Sequence, residues 1–164
     1  MRITAKVDYA VRAVVEMAAT EETPVKGERI SEAQDIPLRF LENILAELRH
    51  GGLVRSQRGA EGGYWLAREP EQISVADVIR ATEGQLASVR SEAPEDLDFK
   101  GSAVPLREVW FALRANLRDV LEDVTVADVA AGRLPEKITA LAAEGASRRE
   151  LAPAPPKAKR EPRD

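Results

Sequence analysis

The chain has 164 residues and a formal net charge of −4, with 44% hydrophobic, 32% charged and only 4% aromatic residues. That length suits one domain, or one domain with an appended segment, and the scarcity of aromatics favours a helical core of Leu, Val, Ile and Ala. Zero cysteines exclude disulfides, thiol catalysis and any zinc or iron–sulfur site built on thiolates.

Residues 4–20 read as a helix, with Val7, Val11, Val14, Val15 and Ala18 on one stripe at the 3.6-residue period. The turn at 21–27 ends it. A short helix follows at 28–35 with Ile30 and Ala33 inward, and Ile36-Pro37 breaks it, Pro37 taking the first position of the next helix. That helix, 38–50, carries Leu38, Leu41, Ile44, Leu45 and Leu48 on one side, with Arg39, Glu42, Asn43, Glu47 and Arg49 around the rest; Gly51-Gly52 stops it. Two short helices with a tight break between them form the helix-turn-helix pattern.

Two strand-like runs come next, Leu53–Gln57 and Gly63–Ala67, joined by a glycine loop. A hairpin directly after a helix-turn-helix makes a winged helix. Ser74-Val-Ala-Asp77 is a capping box opening a helix that runs to Gly84. Residues 85–104 are polar and irregular. Pro105 opens a long helix with Leu106, Val109, Trp110, Leu113, Leu117, Val120 and Leu121 on one stripe. Internal core alone is one reading of the stripe; a small domain with a long projecting helix usually needs a second surface to bury it, and a two-fold dimer is the simplest one. Thr125-Val-Ala-Asp128 is a second capping box, a last helix spans about 136–146, and the Pro/Ala/Lys tail beyond it reads as disordered.

The expected fold is therefore mostly α with a small β-hairpin: a winged helix-turn-helix plus a long dimerisation helix. The expected units are a DNA-binding domain at 1–84, an effector or sensor-type loop at 85–104, a dimerisation helix and closing segment at 105–132, and a short helix with its tail at 133–164. No apolar run approaches the roughly 18 residues that a membrane-spanning helix needs. The amino end leads straight into an amphipathic pattern, so the expectation is a cytoplasmic protein without membrane contact.

Arg55-Ser-Gln-Arg-Gly-Ala-Glu-Gly-Gly-Tyr64 poses the functional question. Dinucleotide loops need a following helix and P-loops end in Gly-Lys-Ser/Thr; this loop has neither, and a second strand follows it. A hairpin turn whose glycines supply positive φ accounts for the pattern. Such a slim turn also lets Arg58 and backbone N–H groups reach phosphates or the minor groove. The negative total is no obstacle: residues 1–68 hold ten Lys/Arg against ten Asp/Glu, while 69–135 hold seven against thirteen, and distribution outweighs the sum. On the third helix, Arg39 has donors for guanine, Glu42 an acceptor for cytosine N4, and Asn43 suits adenine or a phosphate. Arg2, Lys6 and Arg12 are secondary phosphate candidates, with plain solvation the competing reading. Arg49 and His50 suit a helix C-terminus. With one histidine and no cysteine, no nucleophile–base constellation can be named, and no enzyme or cofactor is expected.

At this point the residues carry a resemblance. "IPLRFLENILAELRHGGLVRSQRGAEGGYWLAREPEQISVADVIRATEG" (36–84), "MRITAKVDYAVRAVVEMA" at the start and "LREVWFALRANLRDVLEDVTVADV" (106–129) resemble the winged-helix regulators typified by IscR, NsrR and CymR, the Rrf2 family. The resemblance covers roughly residues 1–132 and is most specific from Gly52 to Leu66. It implies a homodimeric transcription regulator, a repressor in the first reading, on a pseudo-palindromic operator of double-stranded DNA. It places DNA contact at Arg39, Glu42 and Asn43 of the recognition helix and at the wing, for which Arg55, Arg58, Gly59, Gly62 and Gly63 are the candidates. In cluster-bearing members three cysteines lie in the loop corresponding to 85–104, and a first-helix acidic or histidine residue completes the set. Asp8 stands at that position here, the cysteines are absent, and the chain reads as a cysteine-free branch without a metal. The competing reading is a winged-helix protein–protein module that does not bind DNA; a small enzyme or nucleotide-binding protein is the third. A small-molecule or protein effector read near 85–104 is the expected signal.

Overall fold

The computed structural model describes residues 3–88, 92–93 and 96–151. The tail read above as disordered, beyond residue 151, lies outside the described residues, as does part of the 85–104 loop. The chain divides into two compact units, residues 1–134 and 135–164.

In the first unit, α1 (Ala5–Ala19) starts at Thr4, whose hydroxyl accepts from the Val7 amide. α2 (Gly27–Gln34) and α3 (Leu38–His50) follow, then β1 (Val54–Gln57), β2 (Gly63–Leu66), α4 (Val75–Glu83), α5 (Leu106–Asp123) and α6 (Val126–Ala130). A single 3-10 turn, Pro70–Gln72, leads into α4, and another, Gly101–Ala103, leads into α5. The mostly helical architecture with one antiparallel hairpin agrees with the sequence expectation.

Three local expectations shift. Pro37 caps α3 instead of opening it: its carbonyl accepts from Phe40 and Leu41 amides. The turn between α2 and α3 is made by Asp35 at φ 50°, a left-handed conformation that aspartate tolerates better than most side chains. The burial of α1 also departs from the single valine stripe. Val7, Ala10, Ala13, Val14 and Met17 are buried, whereas Val11, Val15 and Ala18 are only half-buried. The reason is that α1 meets α2, α3, α4, α6 and β2. A helix with so many neighbours needs small residues in its packing, and Ala10 and Ala13 are fully buried. Ala33, expected inward, is exposed, because the short α2 turns only Ile30 into the core.

The main core joins Ala10, Ala13, Val14 and Met17 of α1 to Ile30, Ile36, the buried face of α3, Leu53, Val54, Ile73, Val78 and Val126. A smaller cluster of Val7, Ala76, Ile79 and Leu86 receives Leu121 of α5. The 85–104 segment, polar by composition, is thus pinned by two apolar side chains, Leu86 and Leu97, each 4% exposed.

Both capping boxes form. Ser74 Oγ accepts from the Asp77 amide at 3.1 Å and Asp77 Oδ2 from the Ser74 amide at 3.1 Å. Thr125 and Asp128 repeat this at 3.1 and 2.9 Å. The two caps lie side by side: the Val75 amide donates to Val124 O at 2.9 Å and the Val126 amide to Ile73 O at 2.8 Å. The echo in the sequence therefore marks two helix starts joined by an antiparallel bridge, which anchors the end of α5 to the start of α4.

The second unit holds α7 (Glu136–Leu151), which runs past the expected end at 146. The extension is Ser-Arg-Arg-Glu-Leu, mostly good helix formers, and Pro153 follows shortly after it.

The Thr125 hydroxyl and amide hold the Asp128 carboxyl below its ordinary 3.8. A depressed folded value means that this stabilisation is fully present above the unfolded value and is lost as pH falls through the folded one. Asp128→Asn should therefore cost stability at neutral pH. The gap to the native chain should stay constant down to about pH 5 and close below about pH 4, as read by thermal unfolding across that range.

Candidate nucleic-acid interface

Four apolar residues of α3, Leu41, Ile44, Leu45 and Leu48, are at most 1% exposed and seat the helix on the core. Arg39, Glu42 and Asn43 consequently lie on its exposed side, and none of the three makes a side-chain hydrogen bond or ion pair with another described residue. Their donors and acceptors point to solvent unspent, as base-reading groups require. Glu47 and Lys6 differ. Lys6 Nζ donates to Glu47 Oε2 at 3.1 Å and to Thr82 O at 2.5 Å, so both tie α1, α3 and the end of α4 together. Arg12 is likewise committed: it pairs with Asp8 at 3.2 Å, donates to Gln34 Oε1 at 3.3 Å and lies over the Tyr9 ring. Arg2 lies outside the described residues.

The outer face holds one residue that the periodicity gave no reason to single out. Phe40, 39% exposed, meets Tyr9 of α1 edge to face at 5.7 Å. An aromatic between two polar candidates on the first turn of a solvent-facing helix was the available signal.

At its end, α3 passes through Gly51, whose added Cβ would sit 2.7 Å from Ala81 Cβ, so α3 and α4 approach closely there. Gly52 at φ 71° turns the chain into β1, and Arg49 donates to Ser56 Oγ at 3.3 Å. The hairpin pairs Val54 with Leu66, Arg55 with Trp65, Ser56 with Tyr64 and Gln57 with Gly63. Its other edge is occupied by a residue from the α1–α2 connection: Val25 exchanges two backbone bonds with Tyr64, at 2.9 and 2.8 Å.

The wing glycines divide by role. Only Gly59 has positive φ, at 110°. Gly62 is required because a Cβ there would lie 2.3 Å from Gln57 O, and Gly63 because a Cβ would lie 2.5 Å from Val25 O. The reading that all three supply positive φ is corrected accordingly: two of them admit neighbouring backbone. Gly62 is buried and its amide donates to Gly59 O at 3.0 Å, so that amide closes the tip. Arg58, Gly59, Ala60 and Glu61 form the exposed tip, and Arg55 is exposed on β1. Neither arginine is paired with another described residue.

On α5, Leu106, Val109 and Leu113 are 38%, 54% and 41% exposed, while Trp110, Leu117, Val120 and Leu121 are half-buried. Leu121 packs inward on the smaller cluster. Across the helix, Glu122 bonds Arg80 and also Arg118, at 3.0 Å, and these guanidiniums hold its carboxyl below the usual range.

A family model for Rrf2, described as an iron-dependent transcriptional regulator, matches residues 3–132. Among relatives, the "Putative HTH-type transcriptional regulator Rv1287" of Mycobacterium tuberculosis strain H37Rv is 52% identical over 143 residues, spanning 87% of this chain and 89% of that protein. Among solved structures, CymR, the global cysteine regulator of B. subtilis, aligns with a TM-score of 0.67 at 33% identity, over 80% of this chain and 97% of its own. IscR of T. potens aligns at 0.63 and 32% identity, over 94% of each chain. Among the described residues, the iron in the family description has no matching donor set. The sequence has no cysteine, Asp8 is engaged by Arg12, and among the described residues no three His, Cys, Asp or Glu side chains converge to hold a metal. The residues present do not fit a cysteine-held iron–sulfur cluster.

Gly63→Ala should push β2 away from Val25 and destabilise the protein by about 1–3 kcal/mol, the usual cost of an overpacked site, measurable by urea unfolding.

Proposed function

The chain belongs to the Rrf2 family of transcriptional regulators, and from that premise we propose that it is a sequence-specific, homodimeric DNA-binding repressor of the cytoplasm, working without a cysteine-held cluster. The observation that carries the reading is the unspent polar face of α3, Arg39, Glu42 and Asn43, beside a wing whose tip presents Arg58. In this reading α3 enters the major groove: Arg39 donates to guanine, Glu42 accepts from cytosine N4 and Asn43 reads adenine or a phosphate. The outer edge of Phe40 supplies an apolar surface for a thymine methyl. The wing tip follows the backbone or the minor groove through Arg58, with Arg55 as a second phosphate contact. Glu42 supports base reading over general attraction, since a carboxylate near phosphates is repelled unless a base donor meets it.

Dimerisation through α5 accounts for Leu106, Val109 and Leu113 standing exposed along one helix. A two-fold dimer presents two recognition helices to half-sites about one helical turn or more apart, on a pseudo-palindrome.

Operator binding should weaken strongly with salt, because phosphate neutralisation dominates affinity. Arg58→Ala should weaken it by about 1–3 kcal/mol and, if the contact is to a phosphate, reduce the salt slope by about one, with the dimer intact by analytical ultracentrifugation. Leu113→Glu should instead dissociate the dimer and thereby lower affinity. If the native dimer at low salt shows no preference for its own promoter region over random duplex, the regulator reading gives way to a protein–protein module.

A further inference from the structure

The wing is closed by a four-residue turn, Gly59 to Gly62, in which the Gly62 amide donates to Gly59 O at 3.0 Å. The two central residues of that turn are Ala60 and Glu61, and both are exposed. Arg58 stands just before the turn. A duplex that approaches the wing end-on therefore meets a methyl group and a carboxylate as well as a guanidinium. Glu61 makes no hydrogen bond or ion pair with another described residue. The turn also holds its apex in place: a Cβ on Gly62 would lie 2.3 Å from Gln57 O and 2.8 Å from the Arg58 carbonyl carbon, so Gly62 is folded onto the end of β1.

An acidic apex does not suit a wing that only tracks phosphates. A carboxylate laid along the backbone is repelled by each phosphate it nears, and the turn itself offers no cation to offset this. The minor groove, in contrast, differs by base pair. A·T pairs present only acceptors there, and A-tracts narrow the groove and deepen its negative potential. G·C pairs add one donor, the N2 amine of guanine. A carboxylate is penalised over A·T and satisfied only over G·C.

We propose that Glu61 is a specificity-determining residue of the wing: its carboxylate accepts from the N2 amine of guanine in the minor groove, while Arg58 holds the adjacent backbone. The wing thereby selects G·C where it lands, through a different groove from the one α3 reads. This deepens the DNA-binding reading and rests on it.

The test uses the full chain and two duplexes from its own promoter region, identical except that inosine replaces every guanine in the second. Inosine keeps the O6 and N7 acceptors of the major groove and lacks only the minor-groove amine. Native protein should bind the inosine duplex more weakly, and Glu61→Ala, at an exposed position, should lose most of that discrimination. Because inosine also alters duplex shape, the diagnostic quantity is the inosine penalty of the native chain divided by that of the variant. It should be about tenfold, the worth of one hydrogen bond to a charged group. A ratio of one would overturn the proposal. So would a Glu61→Ala that binds the guanine duplex more tightly than the native chain does, since its carboxylate would then only repel. A native chain with no preference for its promoter over random duplex would overturn the regulator reading and this inference with it, so the two failures are told apart.

Discussion

The structure depends on one helix being surrounded by the others. α1 packs against α2, α3, the hairpin, α4 and α6, and Ala10 and Ala13 are fully buried within that packing. Side chains larger than alanine there would push one layer off, at the cost that overpacked cores generally show. The position of α3 follows from this. Burying each of Leu41, Ile44, Leu45 and Leu48 is worth about 1.5–3 kcal/mol, whereas a partly exposed pair such as Lys6–Glu47 contributes about 0–1. The apolar face decides where α3 sits, and the ion pair trims its register. Once that face is committed inward, Arg39, Glu42 and Asn43 have only the outward side.

Backbone, more than side chain, builds the wing. Val25 from a distant connection pairs with Tyr64, and the room for it exists only because residue 63 lacks a Cβ. The same holds at the tip, where Gly62 folds against the Gln57 carbonyl. The result is a slim loop that carries Arg58 and Gly59 on its exposed tip, with no bulky neighbour between the guanidinium and whatever it meets. The paired capping boxes do comparable work at the other end of the unit, joining the start of α4 to the turn after α5 with two backbone bonds.

α5 has little internal support in the first unit. None of its residues is buried, and its inward anchor is Leu121 on the smaller cluster. A helix so placed presents an outward apolar edge at Leu106, Val109 and Leu113, which in the proposed regulator is the contact between copies.

Much of this was legible in the sequence. The 3.6-residue period of α3 set its inner and outer faces, the two Ser/Thr-x-x-Asp boxes located the starts of α4 and α6, and Gly51-Gly52 located the end of α3; the quoted wing motif pointed to the family. These are signals that neighbouring residues carry between themselves, through hydrogen bonds and side-chain periodicity within one or two turns. Tertiary structure decided the rest. Which residues of α1 are buried depends on how many neighbours cover it; the need for Gly62 and Gly63 comes from carbonyls of other segments. The diversion of Lys6 and Arg12 from solvent to Glu47, Thr82 and Gln34 follows from chain segments far apart in sequence. Local sequence specifies what each element presents, but packing between distant elements alone determines what each one meets.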